Sequence, residues 1–181
     1  QLTLEDSAVN SSSATGSGSI SNGGGVAVDS GTLILTRATL EGNTAAIDGA
    51  GLYAANSVIT LSEASVLSNT ADRSGGGTAF VSSTVQLTDS IIASNSSTDD
   101  GGGIAIGAGS VSIATTEIKN NSSDDFGGGI FIASGSLFLI DSSISGNQSV
   151  SSGGGLNNEQ GTVTIRRSTF NNNTATVDDD T

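Results

Sequence analysis

Runs of glycine open at Gly23, Gly49, Gly75, Gly101, Gly127 and Gly153, and each interval is 26 residues, with GAG at Gly49 and GGG at the other five. No insertion breaks this register as far as Asn173. A self-similar period of this length specifies a stack in which each repeat is one supersecondary unit, and neighbouring units bury what a single one cannot. The same periodicity argues against disorder, which a glycine- and serine-rich acidic chain could otherwise suggest.

Numbering each repeat from its first glycine sorts the apolar residues into columns. Position 4 begins with Val26 and Leu52, position 6 with Val28 and Ala54, position 11 with Leu33 and Ile59, position 13 with Leu35 and Leu61, and position 18 with Leu40 and Val66. Of the thirty sites in these five columns over six repeats, all but Thr78 and Asn158 are apolar. At 34% apolar residues overall, chance would supply roughly ten, so these columns predict the core. The spacings 4 with 6 and 11 with 13 have the period of two that a strand requires and not the three or four of a helix. The expectation is an all-β chain forming a single parallel β-helix, a β-solenoid with three strands per 26-residue rung and six full rungs plus a partial N-terminal rung.

One domain is expected over residues 1–181. Residues 1–22 form a partial first rung, because "QLTLEDSAV" aligns with "TLILTRATL" and leaves a five-residue insertion between Ala14 and Asn22. Residues 23–178 form the six rungs, and 179–181 an acidic tail.

The glycines read as bends into the first strand, where a tight turn needs backbone angles that a Cβ forbids. A phosphate-cradling loop would need a following Lys-Ser/Thr and a helix, and here an apolar strand follows. Position 21 holds asparagine in every repeat: Asn43, Asn69, Asn95, Asn121, Asn147 and Asn173. Stacked amides both donate and accept along the axis, so an inward asparagine ladder is expected. Position 16 is small throughout, from Ala38 to Ser168, as a wall that bends inward requires.

"GGGI" followed by "ISGN", and "GGGL" followed by "FNNN", resemble the paired GGA[I/L/V] and FxxN motifs of the polymorphic outer-membrane protein repeats and, more broadly, the pectin-lyase-like right-handed β-helices. The resemblance runs from Gly23 to Asn173. It departs in using GGG for GGA, and only Phe170 supplies the aromatic. It implies right-handed coiling and a surface-exposed adhesive or passenger role.

Charge and composition narrow the function. Eighteen acidic against five basic side chains, a net charge of -13, oppose binding to nucleic acid or anionic lipid surfaces. Apolar runs are only a few residues long, so no membrane-inserting segment is expected. The absence of cysteine excludes disulfides and thiolate metal sites. The lack of methionine and a chain starting at Gln1 fit a processed mature protein or an excised piece of a longer one, so an extracellular or cell-surface location is expected.

No catalytic or cofactor-binding residues are proposed from the sequence, and no cofactor is expected. The polysaccharide-cleaving alternative needs clustered carboxylates on one outward face, whereas here they gather at the turns before the glycines. Asp99, Asp100, Asp124 and Asp125 fall in adjacent rungs and form a candidate calcium site, with a solvated acidic turn favoured over it. Ice binding would need regular Thr-x-Thr rows at positions 10 and 12, and only the last rung supplies one. Among the N-glycosylation sequons, those at Asn95, Asn121 and Asn147 coincide with the ladder, leaving Asn10, Asn120 and Asn172 as candidate acceptors.

Two function classes remain. One is a structural subunit stacking head to tail into an extracellular fibre, with Glu5 and Asp6 of the first rung meeting Arg166 and Arg167 of the last at equivalent positions; Arg167 also shares its column with Asp141 one rung earlier. The other is an adhesin or passenger segment binding a receptor or glycan.

Overall fold

A computed structural model describes residues 1–16 and 21–176. The part of the expected insertion at 17–20 and the acidic residues Asp178, Asp179 and Asp180 lie outside the described residues. The chain is a parallel β-solenoid whose strands assemble into four parallel sheets, here called walls and numbered in the order a full rung visits them.

The first wall begins at Val26–Asp29 and has six strands. The second begins at Leu2–Glu5 and continues through Thr32–Thr36, the third begins at Ala8–Asn10, and the fourth at Ser13–Ala14; these three have seven strands each. A rung thus carries four strands, one more than the spacing of large apolar residues predicts. The additional strand is only two residues long, as in Thr44–Ala45, and its inward column is Ala45, Ala71, Ser97, Ser123 and Ser149, all buried. Side chains this small do not stand out against the composition of the chain.

Register follows the repeat. Leu33 pairs with Ile59 and Ile59 with Val85, column upon column. The first rung pairs Leu2 with Leu33 and Ala14 with Ala45, whereas Val26 pairs with Leu52, so the five extra residues fall between Ala14 and Val26.

The five apolar columns point inward and form one continuous core from Val26 to Ile144. Of the two exceptions, Thr78 is buried and its hydroxyl has no partner among the described residues. Asn158 is exposed on the last rung, where its amide both donates to and accepts from the backbone of Gly161.

The glycine triplets are required by close approach as well as by turning. Position 1 has positive φ in all six rungs, from 63° at Gly101 to 69° at Gly75. At position 3, a Cβ on Gly103 would lie 2.6 Å from the Gly129 carbonyl oxygen and 3.0 Å from the Asn121 amide nitrogen. The third glycine therefore makes room for the ladder asparagine, which is why the two recur together. The GAG rung accommodates the Ala50 methyl beside Ala45 and Ala71. There the Gly51 N–H donates to the Gly77 carbonyl, whereas the corresponding Gly77 N–H donates to Gly102.

Candidate functional site

Every strand of a solenoid is paired except those at its two ends, so the end faces are where open valences collect. Inside the stack, each ladder asparagine accepts at Oδ1 from the backbone N–H and the Nδ2 of the asparagine one rung before it; Asn95 donates both to Asn121 Oδ1 at 2.9 Å. The remaining Nδ2 proton goes to the carbonyl at position 18 of the preceding rung, as from Asn121 to Ile92 at 3.0 Å. Ser12 occupies this column in the first rung and donates its N–H to Asn43 Oδ1 at 2.9 Å.

A second ladder, which size alone did not reveal, runs along position 16. The Ser90 hydroxyl donates to the Thr88 carbonyl at 2.6 Å and accepts the Ala64 N–H at 3.0 Å. Thr116 and Ser142 repeat the arrangement, and the series ends where Ser142 donates its N–H to the Ser168 hydroxyl at 3.1 Å. Both ladders are polar, since in each of these two columns the backbone N–H donates to the side-chain oxygen of the following rung.

The N-terminal face carries the matching acceptor. Ser7, at position 16 of the first rung, already donates its hydroxyl to the Glu5 carbonyl at 2.6 Å, the pose of Ser90 and Ser142. Its oxygen is therefore set to accept an N–H from a preceding rung. Among the described residues the apolar columns are also exposed at both ends: Leu2 is 46% exposed on one face, and Ile165 and Phe170 are 44% and 40% exposed on the other. A recess of about 490 Å³ at the C-terminal face is lined in part by Leu156, Ile165 and Phe170.

Of the four charged residues assigned to the ends, three are already paired within the chain. Arg37, one rung below Asp6, donates to Asp6 Oδ1 and to Glu5 Oε1, each at 2.6 Å. Arg167 donates to both oxygens of Asp141 at 2.7 and 2.9 Å. These hydrogen bonds hold the Asp6 and Asp141 carboxyls below their ordinary range and raise both guanidinium groups. Arg166 lies 5.9 Å from the centre of the Phe138 ring. The role of Arg37 was missed, although the first-rung alignment places it in the column of Asp6.

Comparison with family models, with curated proteins and with solved structures finds no match to this chain.

The four turn aspartates do not gather around a cation. Among the described residues, no group of three or more His, Cys, Asp or Glu side chains is placed to hold a metal ion. The turn caps backbone instead: Asn22 Oδ1 accepts the Asp48 N–H at 3.0 Å, Asp48 Oδ1 the Ser74 N–H at 3.1 Å, and Asp100 Oδ1 the Phe126 N–H at 3.3 Å. Asp99 lies 3.8 Å from Arg73. Burial pushes the Asp100 carboxyl up to about 6; the Phe126 N–H opposes this, and the charges of Asp125, Asp99 and Glu159 add to it.

The outer face of the first wall holds a trough of about 190 Å³ over Ala79 and Ala105, with Phe131 at one end and Asp48, Arg73 and Ser74 along its rim. Phe131 stacks on Phe126 with ring centres 6.4 Å apart. Alanines in an outward column gave no sequence signal for this feature. Asn10, Asn120 and Asn172 are exposed, while Asn95, Asn121 and Asn147 are buried with both amide atoms engaged. Among the described residues no helix is long and apolar enough to cross a membrane.

Proposed function

We propose that the chain is a non-catalytic structural rod whose copies stack head to tail, in the register of the internal repeat, to build an extracellular filament. The observation that carries this reading is the match between Ser168, whose N–H opens from the C-terminal face, and Ser7, whose hydroxyl already stands in the acceptor pose on the N-terminal face. Stacking in that register lays Val163 on Leu2, Ile165 on Leu4 and Phe170 on Val9, continuing three core columns. It also brings Asp6 of one copy to Arg167 of the next, so that Asp141, Arg167, Asp6 and Arg37 alternate in sign along one column. The two faces present different groups, with the ladder donor Ser168 on one and the ladder acceptor Ser7 on the other, so the contact is heterologous, and a heterologous contact that does not close produces an open filament. The GGA and FxxN resemblance agrees with display at a cell surface.

Electron microscopy of the purified chain tests the reading, which expects unbranched filaments whose axial repeat equals one rod. Arg166→Glu, opposite Glu5 across the junction, should weaken assembly, and adding Glu5→Lys should restore it. A chain that stays monomeric at all concentrations overturns the proposal.

The trough on the first wall favours a second reading, a surface module that holds a receptor or glycan there. On that reading Arg73→Ala reduces binding of the captured ligand while the rod remains folded, and unchanged binding removes it.

A further inference from the structure

We propose that the outer face of the second wall is a lateral self-association surface, through which rods of this chain pack side by side. The occupant is a second copy of the chain, and the inference rests on the filament reading for its strength though not for its geometry.

Width and lack of charge together select this face: the fourth wall is uncharged but only two residues wide, and the outward side of the first wall carries Asp29 and is bordered by Asp48 and Arg73. A rod with a net charge of -13 repels its own kind along most of its length. The acidic turn brings Asp48, Asp72 and Asp99 to one edge, and the outward face of the third wall carries Glu41, Glu117 and Lys119. The second wall differs. Its outward residues are those at positions 10, 12 and 14, and between Glu5 on its first strand and Arg166 on its last none is charged. Most are threonine or serine, interrupted by Ile34, Val58, Phe138 and Ile140. Val58 at 51% and Phe138 at 36% are among the most exposed large apolar side chains described.

Geometry suits face-to-face packing. The seven strands are parallel and in register, so the wall presents straight rows of short side chains, and two such faces can approach to about 10 Å. Five residues at ~3.3 Å and seven strands at ~4.8 Å give a face of roughly 500 Å², or about 1,000 Å² buried by a pair. That falls below the ~1,200–2,000 Å² of stable specific interfaces, so isolated rods pair weakly. Stacking changes the outcome. Glu5, already held by Arg37, meets Arg166 at each junction, so the only charges on the face are balanced there, the uncharged stripes of successive rods join, and many weak contacts act together.

The test pairs two double variants. Thr60→Glu with Ser112→Glu charges the second wall, and Ser65→Glu with Ser143→Glu places the same charge on the outward face of the third wall as a control. The wild-type chain and the control should show filaments lying side by side, more so as salt screens the net charge, while the second-wall variant should show single filaments of unchanged axial repeat. The same comparison is made by sedimentation equilibrium on rods carrying Phe170→Asp, which charges the end face and leaves the second wall untouched. There the second-wall variant should self-associate ~10-fold or more weakly than the control. Filaments that bundle regardless of these substitutions, or that run singly in the wild type, overturn the lateral surface. Wall-dependent pairing of rods with no filaments overturns only the head-to-tail reading.

Discussion

Asn121 donates its side-chain Nδ2 to Oδ1 of Asn147 at 2.9 Å, in an interior where both residues are buried. The same Nδ2 donates to Ile92, and Asn121 Oδ1 accepts two N–H groups from Asn95, so one side chain completes the bonding of three rungs. Asn121→Ala should therefore cost about 2–4 kcal/mol, because it leaves several buried polar groups unpartnered at once. Asn121→Asp should be worse at neutral pH, since a carboxylate cannot donate to Ile92 or Asn147 and its charge is buried. Urea denaturation of the three proteins checks this, and a loss under ~0.5 kcal/mol for the alanine variant would mean that the ladder does not hold the stack.

Thr78 presents the opposite case. It stands in an apolar column with its hydroxyl buried and unpartnered among the described residues, between Leu52 and Ile104. Thr78→Val keeps the shape and removes the unsatisfied group, so it should stabilise the rod by about 1 kcal/mol. A shift of the urea midpoint to lower concentration would show that the hydroxyl is satisfied after all.

These two residues mark how far the sequence could be read. Columns of large apolar residues were legible because Leu, Ile and Val stand out against a polar background and recur at a fixed interval, and the asparagine column was legible because it is invariant from Asn43 to Asn173. The fourth wall and the position 16 ladder were not, because alanine, serine and threonine are common throughout the chain and only three-dimensional placement separates a buried Ser90 from an exposed Ser94. Of the end charges, the pairing of Arg167 with Asp141 was legible from their shared column, and that of Arg37 with Glu5 and Asp6 was not. Arg166 and Arg167 stand opposite Glu5 and Asp6 when the last rung is laid on the first, while Arg37, the residue that engages Glu5 and Asp6, lies in the next rung of the column of Asp6.

The alternation of faces gives a sharp test of the second wall. Leu87 is 2% exposed in the core, and Gln86 beside it faces outward. Leu87→Asp buries an unpaired charge and should cost more than about 4 kcal/mol or prevent folding, whereas Gln86→Asp should stay within about 0.5 kcal/mol of the wild type. Thermal unfolding followed by circular dichroism distinguishes them, and similar losses from the two would contradict the inward and outward assignment.

Asp100 makes stability depend on pH in a direction opposite to that of Asp6 and Asp141. Its carboxyl is pushed up to about 6, chiefly by burial, while an unfolded aspartate titrates near ~3.9. A raised folded value means that the folded state holds its proton more tightly, so the contribution is fully present below about pH 4 and is lost as pH rises through about 6. Asp6 and Asp141, held low by Arg37 and Arg167, contribute above the unfolded value and lose that contribution as pH falls. The wild-type profile mixes both, and comparison with a variant separates them. Asp100→Asn retains a carbonyl oxygen for the Phe126 N–H that Asp100 Oδ1 now accepts and removes the ionisation. The full linkage value of roughly 2–3 kcal/mol must be reduced for a side chain half in solvent, leaving an expected gain of about 1 kcal/mol at pH 7. That gain should shrink toward pH 4, where the native carboxyl is already neutral. Chemical denaturation of both proteins from pH 4 to 7.5 measures the difference, and a gain that is absent at pH 7, or that grows as pH falls, would show that the Asp100 carboxyl is not held protonated by its surroundings.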